Sequence, residues 1–292
     1  MRRSWRWSWA LLAVASVGTA VIALALISSP ASGPIALPAA NQVSVPPPSH
    51  SQHAASRDAT QGADPVGALF TRDGSRLGAH FCTASVVDSR SGDLLITAAH
   101  CVRGISLADA GRLLFAPGYA GGKFPRGLWV VTRRFTDSRW AASQDPNDDV
   151  AFLVVRPAAK ADGLSVHVPL LAPGATVRGL AGADRLRFGA PLPVPIRAFG
   201  YPDGRGQRVS CSTRAVQFHP RSLHQVMFAC PGFTDGTSGG PMISAFNPAK
   251  RTGAVIGVIG GYQQGGDSPS ISYSSAFAGH IRALYHRAAK AR

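Results

Sequence analysis

Short apolar segments recur along most of the chain, and turn-forming residues separate them. Each segment is four to seven residues long and alternating or continuously apolar, and Gly, Pro, Asp and Ser cluster in the gaps. Such a pattern is typical of many short strands joined by turns. The sequence therefore predicts an all-β fold, with strands at residues 66–70, 81–87, 94–97, 128–131, 150–155, 194–200, 226–230, 241–245 and 254–259.

The C-terminal stretch has a different period. Between residues 276 and 291, apolar side chains recur at spacings of three and four, at Ile281, Leu284, Tyr285 and Ala288. Arginine and histidine occupy the positions between them. This spacing predicts an amphipathic helix over residues 276–291, with one apolar face available for packing.

Three short motifs follow one another in the order that a Ser/His/Asp constellation can use. They are T-A-A-H-C at 97–101, D-D-V-A-F-L at 148–153 and G-T-S-G-G-P at 236–241. A serine hydroxyl is a weak nucleophile at neutral pH, so it needs a base to accept its proton and a carboxylate to orient that base. Ser238, His100 and Asp149 supply these groups.

Each motif alone has a plainer interpretation. Ser238 could cap a glycine-rich turn, His100 could be a packed or surface histidine, and Asp149 could be a turn residue before a strand. Their combination, at separations of 49 and 89 residues, favours the catalytic interpretation. The flanking glycines also allow the N–H groups of Gly236 and Ser238 to point at one spot, as an oxyanion hole requires.

These motifs resemble those of the chymotrypsin-like (trypsin-fold) serine endopeptidases, in particular their secreted bacterial members. Supporting matches are Cys82 upstream of His100, the G-V-I-G-G-Y run at 257–262 and the C-terminal helix, and the resemblance spans about residues 65–287. It implies that His100 is the general base, Asp149 its orienting carboxylate and Ser238 the nucleophile. Asp149 is preferred to Asp148 because the family's acid directly precedes the V-A-hydrophobic strand.

The resemblance also implies an architecture. We expect two six-stranded antiparallel barrels, at about residues 64–160 and 175–275, followed by the C-terminal helix. The boundary would fall near residues 157–175, where Pro157, Pro169 and Pro173 interrupt the chain. The active site would lie in the cleft between the barrels, and the helix would dock on the second barrel.

The resemblance places the primary substrate pocket around Gly232 at its base, with walls from Phe233, Gly260, Gly261 and Tyr262. No carboxylate occupies the base position, so a strict preference for Arg or Lys is not expected unless Asp235 or Asp267 reaches in. We expect a preference for small or apolar side chains.

One departure from the family concerns activation. Many members carry aspartate before the nucleophile, where it pairs with a new N-terminus, whereas this chain has Thr237 there and no Ile-Val-Gly-Gly segment near the domain start. We therefore expect no activation through that ion pair.

The four cysteines are Cys82, Cys101, Cys211 and Cys230, an even number typical of two disulfides in an exported chain. Sequence alone allows three pairings. The resemblance favours Cys82–Cys101 and Cys211–Cys230, because a family bridge ties the histidine loop to the preceding strand. The chain has no C-x-x-C or H-E-x-x-H motif, so we predict no metal site and no cofactor.

The N-terminus predicts export. Arg2, Arg3 and Arg6 precede an apolar stretch at 10–27 and small residues at 29–31. Residues 1–31 therefore have the layout of a cleaved signal peptide or a retained signal anchor. A Pro-, Ser- and Ala-rich linker at 32–63 then leads to the protease domain at 64–292, which would be secreted or exposed at the cell envelope.

The charge is strongly basic, with a formal net charge of +15 and no glutamate. Such a surface attracts polyanions, but the arginines are dispersed and no nucleic-acid-binding motif accompanies them. We predict a monomer that binds a protein or peptide substrate, binds no nucleic acid, and contacts membrane only through an N-terminal anchor.

Three alternatives stay open. One is a catalytically silent binding module on the protease fold, and another is a purely structural exported protein. The third is an α/β-hydrolase esterase, since G-T-S-G-G also fits G-x-S-x-G. That class needs its acid and histidine after the serine, where Asp267 and His280 or His286 could serve. However, the residues after Ser238 are poor helix formers and strand–helix alternation is missing.

Overall fold

A computed structural model describes residues 63–106, 109–220 and 223–291 of the chain. The chain divides into two units, residues 1–50 and 51–292, and all described residues belong to the second. The predicted signal segment and all of the predicted linker except Ala63 lie outside the described residues. Within the described ranges, none of the helices has the length and apolar character needed to cross a membrane.

The first half of the domain is a closed six-stranded antiparallel barrel. Its strands pair in the order β1-β2-β3-β6-β5-β4, so that β4 returns to β1 and no edge is left open. The interior holds fully buried side chains such as Leu69, Leu95, Phe115, Trp129 and Leu153. The strands are β1 (Val66–Asp73), β2 (Arg76–Val86), β3 (Leu94–Thr97), β4 (Leu113–Pro117), β5 (Trp129–Thr136) and β6 (Ala151–Pro157).

The second half is a seven-stranded sheet in the order β13-β10-β9-β8-β11-β12-β7. Six strands pair antiparallel, and the two-residue β7 adds a parallel pair to β12. The sheet curls until β13 and the end of β12 meet, where Gly260 N–H donates to the Tyr273 carbonyl at 2.9 Å. The strands are β7 (Arg185–Leu186), β8 (Val194–Gly200), β9 (Val209–Phe218), β10 (Gln225–Ala229), β11 (Pro241–Asn247), β12 (Thr252–Val258) and β13 (Ile271–Ser275).

This architecture confirms the predicted all-β, trypsin-like double barrel with a C-terminal helix. The second barrel differs in detail, since its hydrogen-bonded order is that of a curled sheet carrying a seventh, very short strand. The helices are α1 (Ser138–Ser143), α2 (Val177–Ala181) and α3 (Gly279–Ala289).

The predicted docking of the C-terminal helix was wrong. Helix α3 buries Ile281, Leu284 and Ala288, as its period predicts, but packs on β5 and β6 of the first barrel. The Tyr285 ring lies 5.7 Å from that of Phe152 in β6, and Arg287 donates to the Thr136 carbonyl in β5. Helix α3 thus ties the C-terminal part of the described chain back to the first barrel.

Both predicted disulfides are present, Cys82–Cys101 and Cys211–Cys230. The first joins β2 to the short helical turn that contains His100, and the second joins β9 to the residue after β10. Each half of the domain therefore has one covalent crosslink.

Candidate active site

Asp149 lies between a short helical turn, Pro146–Asp148, and strand β6. Its side chain is fully buried and accepts three hydrogen bonds. One oxygen accepts the His100 backbone N–H at 2.8 Å, and the other accepts the Gly261 N–H at 2.8 Å and contacts His100 Nδ1 at 2.7 Å. An ionised carboxylate has no proton to donate, so the Nδ1 proton points to Asp149.

His100 begins the helical turn that follows β3, and its side chain is 11% exposed. Asp149 holds both its backbone N–H and its ring Nδ1, while the disulfide of the next residue, Cys101, anchors the turn to β2. Nε2 has no hydrogen-bond partner among the described residues. This geometry fixes the ring and leaves Nε2 available to a substrate or nucleophile.

Asp148, the rival acid in the sequence, has different partners. Its buried carboxylate contacts Arg139 at 2.9 Å and His280 at 3.1 Å, and does not contact His100. Burial raises its pKa, although His280 and Arg139 partly oppose this effect. The structure thus joins His100 to Asp149, the acid chosen from the sequence.

The loop around Ser238 is held from the first barrel. Thr83 in β2 donates its N–H to the Ser238 carbonyl at 2.7 Å and its hydroxyl to the Gly236 carbonyl at 3.0 Å. Gly236 and Gly239 have φ of +86° and +81°, and a Cβ at Gly239 would collide with Thr97 and Thr83. Only glycine fits such a close approach of two backbones.

The N–H groups of Gly236 and Ser238 donate to no acceptor among the described residues, unlike those of Thr237, Gly239 and Gly240 beside them. Both residues line the same cleft as His100. Unpaired donors facing a cleft can bind an anionic oxygen, which is the property predicted for this pair. Ser238 is half-buried, and no hydrogen bond joins its hydroxyl to His100 in this structure.

The cleft measures about 680 Å³ and has a lining different from the predicted pocket. Phe233 lines it as expected, but Gly232, Gly260, Gly261 and Tyr262 do not. Gly260 and Gly261 instead pack behind Asp149, and the Tyr262 ring packs against Phe218 and Tyr273. Residues 263–269, which directly follow Tyr262, line this side of the cleft instead.

Three exposed carboxylates line this cleft, those of Asp203, Asp235 and Asp267, and no Lys or Arg of the described chain joins them. Asp267 accepts a hydrogen bond from Gln263 at 2.6 Å. Burial raises the pKa of Asp203, with a further increase from Asp235 and an opposing effect from His80. Asp235 and Asp267 are the two acids that sequence analysis named as exceptions to an apolar pocket.

The arrangement does not match an α/β-hydrolase. Strand β11, not a helix, follows Ser238, and the sheets lack strand–helix alternation. The candidate partners are dispersed, since Asp267 pairs with Gln263, His280 with Asp148, and the His286 ring with that of Tyr285. The esterase alternative is therefore excluded by the fold.

One group of potential metal ligands is close together, namely Cys82, His100 and Cys101, within 4.8 Å of one another. Both cysteines are engaged in a disulfide, so neither can offer a thiolate to a metal. This group therefore does not fit a metal centre.

Sequence reasoning missed two residues that connect the halves of the site. Thr83 holds the Ser238 loop, and Gln225 in β10 contacts the turn before Asp149. Thr83 adjoins Cys82, which was a usable signal, whereas nothing local marks Gln225, because its partners lie 37 and about 79 residues away.

The sequence matches no protein-family model and no curated protein. The structure is similar to that of protease Anisep from Arthrobacter nicotinovorans, with a TM-score of 0.63, 22% identity, and 80% and 98% of the two chains covered. It is also similar to the thermostable serine protease AL20 from an extremophilic microorganism, with a TM-score of 0.62, 23% identity, and 79% and 99% of the two chains covered. The structure is also similar to that of a Glu endopeptidase, with a TM-score of 0.56, 14% identity, and 80% and 96% of the two chains covered. The chain has the fold of the chymotrypsin-like serine proteases.

Proposed function

We propose that this chain is an exported serine endopeptidase that cleaves peptide bonds through Ser238, His100 and Asp149. One observation carries the proposal. The buried Asp149 orients His100 at 2.7 Å, in a cleft that also contains Ser238 and the unpaired N–H groups of Gly236 and Ser238. These are the base, nucleophile and oxyanion donors that acyl transfer requires.

The chemistry follows from these positions. Ser238 attacks the peptide carbonyl while His100 Nε2 accepts its proton, and Asp149 stabilises the resulting imidazolium. The N–H groups of Gly236 and Ser238 bind the oxyanion, each contributing on the order of 3 kcal/mol. His100 then protonates the leaving amine, and water hydrolyses the acyl-enzyme. No step calls for a metal or cofactor.

The cleft supports a substrate class different from our sequence-based expectation. Three carboxylates line the cleft and no lysine or arginine of the described chain does, which favours a negative local potential there despite the net charge of +15. Peptides with a lysine or arginine near the cleaved bond should therefore enter this cleft more readily than acidic peptides. Phe233 still offers one apolar wall, as expected from the sequence.

The two disulfides support export, because such bonds persist in oxidising compartments. Secretion or anchoring at the envelope depends on the N-terminal segment, which the sequence predicts to be a signal peptide or signal anchor. We propose a monomer, in keeping with the self-contained cleft formed by one chain.

The test is labelling of the exported protein with a fluorophosphonate probe, beside Ser238→Ala and His100→Ala. We expect wild type to be labelled and both variants to remain unlabelled. A folded, disulfide-bonded wild type that resists the probe would contradict the proposal and favour a binding module on the protease fold.

A further inference from the structure

Gln225 is a fully buried amide at the start of β10, in the second half of the domain. Its Nε2 donates to the Pro146 carbonyl at 3.2 Å and to Asn147 Oδ1 at 3.1 Å, and it also lies 3.3 Å from the carbonyl of the preceding residue, His224. Its Oε1 accepts the Tyr262 N–H at 2.9 Å. One side chain thus contacts two segments that are far apart in the sequence.

Those two segments are the ones that enclose Asp149. Pro146 and Asn147 belong to the turn that leads directly into Asp149. Tyr262 follows Gly261, whose N–H donates to the Asp149 carboxylate at 2.8 Å. Gln225 therefore contacts the turn that precedes Asp149 and the residue that follows Gly261, which is a hydrogen-bond donor to Asp149.

The chemistry of the amide suits this position. The Gln225 side chain donates to two oxygens of the turn and accepts the Tyr262 N–H, and a glutamine amide carries both the donor and the acceptor that these bonds need. A methionine would fill the space without either bond. A glutamate would keep the acceptor, lose the donor and place a second negative charge beside the Asp149 turn.

We infer that Gln225 is a positioning residue, which sets the spacing between the 146–148 turn and the Gly261 N–H and so orients Asp149 toward His100. The inference rests on the proposed function, since the orientation matters for catalysis only if His100 acts as the base. Gln225 does not line the cleft, so it acts through Asp149 and not on the substrate.

A neighbouring contact provides a matched control. Ser275 in β13 donates its hydroxyl to the same Pro146 carbonyl at 2.8 Å but does not contact the Tyr262 segment through its side chain. Ser275→Ala removes a buried hydrogen bond from the turn and leaves the Gln225 bridge intact. A merely structural role of Gln225 would make the two substitutions alike.

The first experiment compares fluorophosphonate labelling rates and steady-state kinetics of wild type, Gln225→Met and Ser275→Ala. We expect Gln225→Met to lower kcat about 10- to 100-fold with KM nearly unchanged, because misplacing a catalytic group chiefly slows the chemical step. Ser275→Ala should stay within about threefold of wild type, since the Gln225 bridge still spaces the two segments. Equal kcat for wild type and Gln225→Met, or equal losses in the two variants, would overturn the inference.

The second experiment uses Gln225→Glu, which preserves shape and decides the question if Gln225→Met does not fold. The added charge favours the protonated form of His100, so the acid limb of the rate profile should move to higher pH. An NMR titration of the His100 ring should move in the same direction. Because glutamate also loses the donor to the turn, kcat should fall as in Gln225→Met, and a wild-type kcat in Gln225→Glu would refute the positioning role. If wild type itself is not labelled, the proposed function fails, whereas a labelled wild type with unaffected variants refutes the Gln225 role alone.

Discussion

Two of the buried carboxylates, Asp149 and Asp184, lie where the first barrel meets the second sheet, and their surroundings differ. Asp149 accepts three hydrogen bonds, two of them from His100, and His100 lines the cleft. Asp184 is equally buried and accepts hydrogen bonds from the Ser85 hydroxyl at 3.0 Å and the Gly253 N–H at 2.8 Å. Neither Asp184 nor these partners line the cleft.

The difference lies in what each carboxylate can act upon. Asp149 faces a titratable ring with one nitrogen free, so its charge can be used at each turnover of the proposed reaction. Asp184 faces two neutral donors, and burial raises its pKa to about 7. A buried acid thus serves chemistry or structure according to its partner and not according to its burial.

The largest expected effect comes from removing the charge of Asp149. Asp149→Asn should lower kcat/KM by about 10⁴-fold, because the amide no longer holds His100 in the required tautomer. Asp184→Asn, also a carboxylate-to-amide change at full burial, should leave kcat/KM of the folded protein within about twofold. Peptide hydrolysis assays on both variants check this, and comparable losses would erase the distinction between the two acids.

The second effect concerns stability and pH at Asp184. Because the folded pKa of about 7 exceeds the ordinary aspartate pKa of 3.8, the folded state retains, between about pH 4 and 7, a proton that the unfolded state has already lost. The contribution of this group is therefore fully present below pH 4 and is lost as pH rises toward 7. The slope approaches about 1.4 kcal/mol per pH unit at most.

Denaturant titrations at several pH values between 4 and 7 measure this slope. Asp184→Asn carries no titrating proton, so the difference in unfolding free energy between wild type and variant should change with pH in that range. A constant difference would show that Asp184 ionises alike in both states.

The third expected effect is a difference in kcat between substitutions of two hydroxyl residues on one strand. Thr83 and Ser85 both lie in β2, and Thr83 holds the Ser238 loop while Ser85 donates to Asp184. Thr83→Val also leaves the Tyr201 N–H without its acceptor, so it should cost about 1–3 kcal/mol of stability. It should also lower kcat on the order of tenfold by loosening the loop.

Ser85→Ala should lower stability by a similar amount while kcat stays near wild type, since Ser85 serves only the structural acid. Thermal unfolding and steady-state kinetics on both variants resolve the two outcomes. A loss of kcat in Ser85→Ala equal to that in Thr83→Val would contradict the division between the two regions.

The smallest effect concerns the exposed acids of the cleft. Asp235→Asn and Asp267→Asn should each lower kcat/KM for peptides with arginine near the cleaved bond by about two- to fivefold, as expected for exposed ion pairs. Neutral peptides should be unaffected, and high salt should reduce the difference. Competition between arginine and glutamine peptides measures the ratio of their kcat/KM values. If this ratio is the same in wild type, Asp235→Asn and Asp267→Asn, the carboxylates have no role in substrate selection.

The sequence was most informative where several residues of the candidate site lie next to one another in the chain. The motifs around His100, Asp149 and Ser238 could be located because each has a local pattern, and all three lie at the cleft or directly behind it. Strands β4, β7, β9 and β13 were not predicted. Strand β4 is a short, wholly buried apolar run and β7 has only two residues. Small and polar residues dominate β9 and β13, where Ser274 and Ser275 are buried and satisfied by hydrogen bonds. Such strands depend on their neighbours and not on their own apolar content.

Two further errors have different causes. The period of α3 identified its buried face but not its partner, since an apolar stripe fits either barrel equally well. The residues that form the wall of the cleft lie a few positions after the predicted ones, because the 262–265 turn contains two residues with positive φ, Gln263 and Gln264. A local backbone reversal of this kind has no apolar signature in the sequence.

Thr237, which stands where many related proteases place an aspartate, is buried, and both its hydroxyl and its N–H donate to the Thr234 carbonyl, at 2.7 and 3.1 Å. A neutral side chain thus closes the Ser238 loop on itself through two hydrogen bonds, without an ion pair at this position. Under the proposed function, such a protease has no dormant precursor stage at this loop.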